Sequence, residues 1–137
     1  MNDKVFLDTN VLVYLYSEDE PEKQAIAICI FDSAYCITST QVLNEFCAVC
    51  LRKLGMSSTV VLKAIREIAA NCECCLIDME VIQNALSLHN KYGYAYYDCL
   101  VLASAISNDC NYLYSEDMQH NQSIEGKLKI INPFRHD

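Results

Sequence analysis

Short apolar runs alternate with helical patterns along this chain, and that alternation limits the folds it can adopt. The strand candidates are Val5 to Leu7, Tyr35 to Thr38, Cys74 to Ile77, Tyr112 to Tyr114 and Leu128 to Ile131. Helical patterns fill the stretches between them. Strands that alternate with helices form a largely parallel sheet covered on both faces. The pattern therefore predicts an α/β fold, a three-layer α/β/α sandwich around a mostly parallel sheet of about five strands.

Length and composition fit one folded domain that spans residues 1–137. A hydrophobic content of 53% excludes a disordered chain, because such chains are poor in apolar residues. Charged residues interrupt each apolar run before it reaches the length of a membrane span. The N-terminus has no signal-type segment, since Asp8 lies inside the only candidate. We therefore expect a cytoplasmic protein with no membrane partner.

The nine cysteines are an odd number, and most lie inside apolar patterns, as Cys29, Cys47, Cys99 and Cys110 do. This placement favours reduced thiols that pack as small hydrophobic groups. The pairs Cys47-x-x-Cys50 and Cys72-x-Cys74-Cys75 could be halves of a zinc site. No matching pair of histidines accompanies them, so structural thiols are the favoured interpretation.

A net charge of −8 argues against a nucleic-acid partner, because phosphates attract basic surfaces. Two considerations weaken that argument. Acids that bind a metal ion have much of their charge cancelled locally, and the ten Lys and Arg residues could be concentrated on one face. The acidity could also attract a basic protein partner.

The first strand candidate runs directly into Asp8, Thr9 and Asn10. In open α/β sheets ligands bind beyond the carboxyl ends of the strands, which is where Asp8 is expected to lie. A carboxylate at such a position costs stability unless another group pairs with it. Asp8 is therefore a candidate functional residue.

Three further acids occupy positions that a surface role explains poorly. Glu45 borders the apolar stripe of the third helix, Asp98 lies in the first turn of the most apolar helix, and Asp117 follows the fourth strand. The helix dipole alone could account for Asp98, and a turn could account for Asp117. Asp78, in contrast, is adequately explained as a helix N-cap.

These four acids could converge on the same edge of the sheet. Two carboxylates about 4 Å apart repel each other by about 4 kcal/mol at an effective dielectric constant near 20. Such a cluster needs protons or a cation, and ligands that are all oxygen favour Mg²⁺ or Mn²⁺. These ions promote phosphodiester cleavage by lowering the pKa of bound water.

Five segments spread over nearly the whole chain match one family in order and spacing. They are Phe6–Tyr14, Asn44–Phe46, Tyr97–Ala103, Ser115–Met118 and Ile130–Phe134. In these segments the chain resembles the PIN domain family, and most closely the VapC-like ribonuclease toxins of bacterial toxin–antitoxin pairs. The family often has Trp or Phe before its third acid, where this chain has Tyr97, a change that leaves the site intact.

The resemblance implies an endoribonuclease that depends on Mg²⁺ or Mn²⁺ and acts on RNA. Its catalytic and metal-binding acids would be Asp8, Glu45, Asp98 and Asp117. Asn10 would orient the first carboxylate, and the hydroxyls of Thr9 and Ser115 would support the metal shell. Glu116 is an alternative to Asp117 as the fourth acid, although Asp117 matches the family pattern. The resemblance also implies a homodimer and a small antitoxin protein as partner.

Other residues have weaker functional interpretations. Arg52 follows Glu45 by two helical turns, about 10 Å along the helix, so it could bind a neighbouring RNA phosphate. A solvated residue near the helix end, favoured by the helix dipole, is the preferred interpretation. His120 is better explained as a surface residue than as a catalytic one. Tyr92, Tyr94, Tyr96 and Tyr97 could stack on bases, although packing against the sheet is the favoured interpretation.

Several alternatives to a toxin ribonuclease remain open. A PIN-domain nuclease could process RNA without a toxin role, and a non-catalytic module could use its acidic edge to bind a basic partner. An aspartyl-nucleophile phosphatase also begins with an apolar strand that ends in Asp. That chemistry usually has a second Asp two residues later, where this chain has Asn10.

Overall fold

The computed structural model describes residues 3–136 as a six-stranded sheet flanked by helices on both faces. The strands are β1 (Lys4–Leu7), β2 (Tyr35–Ser39), β3 (Glu73–Cys75), β4 (Tyr112–Tyr114), β5 (Ser123–Ile124) and β6 (Leu128–Ile131). The helices are α1 (Thr9–Tyr14), α2 (Pro21–Ser33), α3 (Thr40–Arg52), α4 (Ser58–Asn71), α5 (Met79–Tyr92) and α6 (Tyr96–Ser107). The predicted α/β class and mostly parallel sheet are confirmed.

The strand order β3-β2-β1-β4-β6-β5 places β1 in the middle of the sheet. Strand β1 pairs in parallel with β2 on one side and with β4 on the other. The chain therefore reverses its direction of winding between β1 and β4. The crevice beyond the carboxyl ends of two such strands is the usual ligand site of an open α/β sheet.

The core lies between the sheet and the helices. Helix α6 is buried on nearly all sides, from Cys99 to Ala105, which explains its almost uninterrupted apolar sequence. Helices α3, α4 and α5 are amphipathic and bury one stripe each. A helix that buries one face needs apolar residues only at helical spacing.

Short polar residues start these helices, and a glycine ends one of them. The side chain of Ser39 accepts a hydrogen bond from the backbone of Val42 and begins α3. Asp78 does the same for Val81 and begins α5, as predicted. Gly93 ends α5 with a φ of +77°, a left-handed conformation in which a side chain would be strained.

The structure differs from the sequence predictions at several points. Strand β5 was not predicted, because it contains two residues and pairs antiparallel to β6 at the sheet edge. The apolar run predicts a short helix from Val11 to Tyr16, whereas α1 spans Thr9–Tyr14, because Asp8 caps it. Strand β3 ends at Cys75, earlier than Ile77, and the following Leu76 is exposed.

All nine cysteines are free thiols, as expected. The prediction that Cys29 packs as a small hydrophobic group is wrong, because this cysteine lies on the exposed side of α2. The zinc interpretation gains no support, since no group of three or more His, Cys, Asp or Glu in residues 3–136 could hold a metal ion as arranged. None of the helices described in that range has the length and apolar character needed to cross a membrane.

Candidate active site

Asp8 lies at the carboxyl end of β1 and caps helix α1. Its side chain is 5% exposed, and both carboxylate oxygens accept hydrogen bonds. Oδ1 accepts from the backbone N–H of Thr9 at 2.8 Å, and Oδ2 accepts from the Ser115 hydroxyl at 2.7 Å. Its own backbone N–H continues the pairing of β1 with β4 by donating to Tyr114 at 3.1 Å. The sheet therefore fixes Asp8 in place.

Burial raises the pKa of Asp8 from 3.8 to about 6. The negative charges of Asp117 and Asp98 raise this pKa further, whereas the hydrogen bonds from Ser115 and Thr9 lower it. Burial is the largest effect, because removing water disfavours the charged form of a carboxyl group. The folded chain therefore holds a carboxylate that is costly to ionise.

Glu45 reaches the same edge of the sheet from helix α3. Its Oε2 accepts a hydrogen bond from the Thr9 hydroxyl at 3.0 Å, and its Oε1 accepts from the Gln41 amide at 3.3 Å. Gln41 lies one helical turn before Glu45, so their side chains share one face of α3. Gln41 was not among the predicted site residues, although its spacing of four from Glu45 is visible in the sequence.

Asp98 lies in the first turn of α6 and is half-buried. Burial raises its pKa, and the charges of Asp117 and Glu45 raise it further. Asp98 therefore lies within electrostatic range of both acids, and of Asp8 as well. The four predicted acids come together at one edge of the sheet, although they arrive from four different elements.

Asp117 lies in the loop after β4 and is exposed. One carboxylate oxygen accepts a hydrogen bond from the Asn10 amide at 3.0 Å, and its backbone N–H donates to the Ser115 hydroxyl at 3.1 Å. The resemblance implies that Asn10 orients the first carboxylate, whereas no hydrogen bond joins Asn10 to Asp8 among residues 3–136. Asn10 holds the loop after β4, and Ser115 is the side chain that holds Asp8.

Glu116 points away from the four acids. Its carboxylate accepts hydrogen bonds from the Tyr14 hydroxyl and, at 3.1 Å, from Lys23. Lys23 also lies over the rings of Tyr14 and Phe134, at 4.8 Å and 5.9 Å from their centroids. This arrangement is an anchor for the loop after β4. A sequence pattern gives no sign of it, because the partners are far apart along the chain.

The donor set suits a hard divalent cation. All four candidate ligands are carboxylates, and none of them forms an ion pair with a Lys, Arg or His within residues 3–136. Oxygen ligands of this kind are those that Mg²⁺ and Mn²⁺ take in proteins. Because no group of three acids in that range is already arranged to hold an ion, a bound cation would have to draw the carboxylates closer together.

A cleft of about 510 Å³ opens beside the acids. Glu45 and Asp117 line it, together with Lys53 and an apolar wall from Val13, Val49 and Leu54. The structure brings Lys53 to this cleft, whereas the predicted Arg52 is exposed on α3 and does not line it. Residues 52 and 53 are adjacent, so a rotation of one helical step decides which of the two faces the cleft.

The other polar candidates have structural contacts. The ring of His120 accepts a hydrogen bond from the backbone of Asn132 at 2.9 Å. Tyr92 donates to Glu125 at 2.8 Å, and Tyr94 hydrogen bonds to Gln122. Tyr97 is the most exposed ring of the tyrosine group, at 58%.

Comparisons with known proteins agree on one fold. The PIN domain family matches residues 5–122. A toxin–antitoxin complex from Klebsiella pneumoniae is similar in structure, with a TM-score of 0.73 at 16% identity over 96% of this chain and 99% of that chain. VapC20 of Mycobacterium tuberculosis, a toxin that cleaves the sarcin–ricin loop, is similar with a TM-score of 0.67 at 21% identity, over 82% of this chain and 89% of that chain.

A third similar structure is FitAcB from Neisseria gonorrhoeae, with a TM-score of 0.62 at 16% identity over 96% of this chain and 99% of that chain. No curated protein matches the chain. At such low identities the solved structures show a shared fold, and the family match covers most of the chain.

Proposed function

Because this chain belongs to the PIN domain family, we propose that it is a metal-dependent endoribonuclease that hydrolyses phosphodiester bonds in RNA. The observation that carries the proposal is the convergence of Asp8, Glu45, Asp98 and Asp117 without a basic partner among residues 3–136. A structural role offers no reason to collect acids that raise one another's pKa. A divalent cation gives such a reason.

Asp8 and Asp98 are the proposed main ligands of Mg²⁺ or Mn²⁺, and Glu45 and Asp117 complete the shell. A divalent ion at this place supplies an activated water and charge stabilisation for the leaving oxygen. The protein's own contribution is positional. The Ser115 hydroxyl bonds both to Asp8 and to the backbone of Asp117, and Thr9 restrains Glu45. Outer contacts of this kind commonly set metal affinity.

The cleft beside Glu45 and Asp117 is the proposed path for RNA. Its apolar wall can accept a base, and Lys53 can bind a phosphate. Arg52 remains a proposed phosphate contact further along the same helix. Replacing Lys53 with Gln should weaken RNA binding more than replacing Arg52 with Gln, as measured by fluorescence anisotropy in EDTA. The opposite ranking would assign the phosphate contact to Arg52.

The decisive activity test uses purified protein with structured RNAs in Mg²⁺, in Mn²⁺ and in EDTA. Asp8→Asn should abolish cleavage, and EDTA should do the same to the unchanged protein. Asp78→Asn is a matched control, because it removes an acid outside the site and keeps a residue that caps helices equally well. Cleavage that survives EDTA or Asp8→Asn would falsify the proposed chemistry. The absence of cleavage in every condition would instead favour a non-catalytic module that binds a basic partner.

The proposed biological role is that of the toxin in a toxin–antitoxin pair. Similar structures include toxin–antitoxin complexes, so a homodimer and a small antitoxin protein are the proposed partners, and the cytoplasm is the proposed location. Expression of the chain alone should arrest bacterial growth, and Asp8→Asn should relieve the arrest. Normal growth despite RNA cleavage in vitro would favour a nuclease for RNA processing without a toxin role.

A further inference from the structure

Two cysteines face each other at the amino ends of β2 and β3, at the opposite edge of the sheet from the acids. Ile37 pairs with Glu73 in the parallel register of these strands, so Cys36 and Cys72 occupy the preceding pair of positions. Cys72 has extended backbone angles, φ −121° and ψ 148°. Paired residues on neighbouring strands lie about 4.8 Å apart, which falls within the range that a disulfide spans.

The two thiols are close enough to influence each other and are almost enclosed. The Cys36 thiol donates to the backbone oxygens of Ala34 at 3.5 Å and Ile30 at 3.7 Å, and the interaction with Cys72 lowers the pKa of Cys36 and raises that of Cys72. Cys36 is 3% exposed and Cys72 is 8% exposed. Side chains of paired residues in a parallel sheet project to the same face. The register therefore places both thiols on one face of the sheet, at the separation of neighbouring strands that a disulfide can span.

A surface cleft borders this pair. A cleft of about 300 Å³ is lined by both cysteines and by residues adjacent to each, including Tyr35, Asn71 and Glu73. It is separate from the cleft beside the acids. The limited exposure of the sulfur atoms restricts access to small molecules. A small peroxide fits this restriction better than a bulky disulfide reagent.

We propose that Cys36 and Cys72 form a redox-active dithiol site, which hydrogen peroxide converts into an intramolecular disulfide. The Cys36 thiolate attacks one oxygen of the peroxide, the O–O bond breaks, and Cys36 becomes a sulfenic acid as hydroxide leaves. The Cys72 sulfur, after losing its proton, attacks the Cys36 sulfur and displaces a second hydroxide. The two hydroxides take up the two thiol protons, so two thiols and one peroxide give one disulfide and two waters.

This inference does not depend on the proposed nuclease activity. Other cysteines provide internal competitors, because Cys74 lies near Cys72, and Cys47 lies near Cys50. Neither of those pairs is placed face to face on neighbouring strands. The register of β2 and β3 therefore makes a specific prediction about which two of the nine cysteines react with each other.

The test treats the folded protein with a small excess of hydrogen peroxide, blocks remaining thiols with an alkylating reagent in denaturant, and maps the peptides without reduction. Cleavage after aromatic residues and after Glu releases Cys36 within residues 36–45 and Cys72 within residues 68–73, each as the only cysteine of its peptide. We expect these two peptides to be joined, with seven of the nine thiols still alkylated. Dithiothreitol should restore all nine.

Matched variants separate this site from general thiol oxidation. Cys36→Ser and Cys72→Ser should each lose the joined peptide completely, whereas Cys74→Ser and Cys29→Ser should keep it at the unchanged yield. Circular dichroism of each variant verifies that the fold is retained. Joined peptides of mixed identity, or oxidation confined to the exposed Cys29, would overturn the proposal.

Discussion

Asp8 combines a fixed position with an unfavourable charge. Its carboxylate accepts two hydrogen bonds and is almost entirely buried, yet burial still raises its pKa to about 6. The unfolded chain ionises this group near its ordinary value of 3.8. Between these two pH values the folded state binds the proton more strongly than the unfolded state does. The contribution of Asp8 to stability therefore falls as pH rises through this window.

Asp8→Asn should consequently stabilise the metal-free protein at neutral pH. An increase of about two units in the pKa of Asp8 corresponds to at most about 3 kcal/mol in the free energy of unfolding. The stabilisation should be absent below about pH 4, grow up to about pH 6, and remain constant above that. Thermal unfolding in EDTA across this range measures the effect. Equal stability of the two proteins at pH 7.5 would show that water or backbone movement relieves the buried charge.

Mg²⁺ should reverse this ranking, because an ion that binds only the folded state raises the melting temperature. The melting temperature of the unchanged protein should increase with Mg²⁺ concentration, and that of Asp8→Asn should not. This readout does not depend on RNA cleavage. An equal response of both proteins to Mg²⁺ would place the ion elsewhere.

Ser115 is the residue that joins two of the acids through one hydroxyl group. Ser115→Ala should lower metal affinity or activity by about 10–100-fold, the usual effect of losing an outer contact. Because the lost hydrogen bond lowers the pKa of Asp8, the acidic limb of the pH–rate profile should move to higher pH. A fall in activity without that movement would indicate that Ser115 acts on the loop alone.

At the scale of elements, the loop after β4 depends on helices α1 and α2 for its position. Glu116 is held by Tyr14 of α1 and Lys23 of α2, whereas Asn10 of α1 holds Asp117. The two neighbouring acids thus face different surroundings. Glu116 anchors the loop, and Asp117 faces the other carboxylates.

This division predicts unequal effects of two equivalent substitutions. Asp117→Asn should lower RNA cleavage by about 100-fold or more, whereas Glu116→Gln should change it by less than about 10-fold, because that carboxylate acts only through the loop. Rate measurements at saturating Mg²⁺ compare the two directly. A larger loss in Glu116→Gln would identify Glu116 as the fourth acid.

The elements themselves follow closely from local sequence patterns. The sequence pattern predicts helices from about Ser58 to Asn71 and from the Asp78 cap to Tyr92. The bounds of α4 and α5 agree, since amphipathic spacing and the caps at Ser57 and Asp78 define them. The two-residue strand β5 could not be predicted, because it exists only through pairing with β6 at the sheet edge. The predicted end of β3 at Ile77 is wrong, because Leu76 extends the apolar run in the sequence but is exposed and lies outside the strand.

The arrangement within the site was less predictable than its members. Position at strand and helix ends singled out Asp8, Asp98 and Asp117, and the border of an apolar stripe singled out Glu45. The structure brings the four acids to one edge of the sheet. Which side chain holds which acid depends on tertiary distances that spacing does not encode. Such distances decide that Ser115 bonds to Asp8 while Asn10 bonds to Asp117. They also decide that Lys53 lines the cleft.

At the scale of the whole molecule, a net charge of −8 opposes RNA binding. If the acids at the site bind divalent ions, much of the local repulsion disappears. RNA affinity should therefore rise by about 10-fold or more when Ca²⁺ or Mg²⁺ replaces EDTA. Added salt alone would have the opposite effect, because it screens the attraction between RNA and basic residues. Anisotropy with an RNA of phosphorothioate linkages, at matched ionic strength, measures this. The increase should be absent in Asp8→Asn.

The central position of β1 has a consequence for the timing of synthesis. Asp8 is made 107 residues before its partner Ser115. A nascent chain therefore has no complete site until β4 and the loop after it have left the ribosome. Chains that stop before residue 112 lack β4 altogether, so under the proposed function incomplete translation products should not cleave RNA. The order of the strands thereby postpones the proposed activity until β4 and the loop after it have been made.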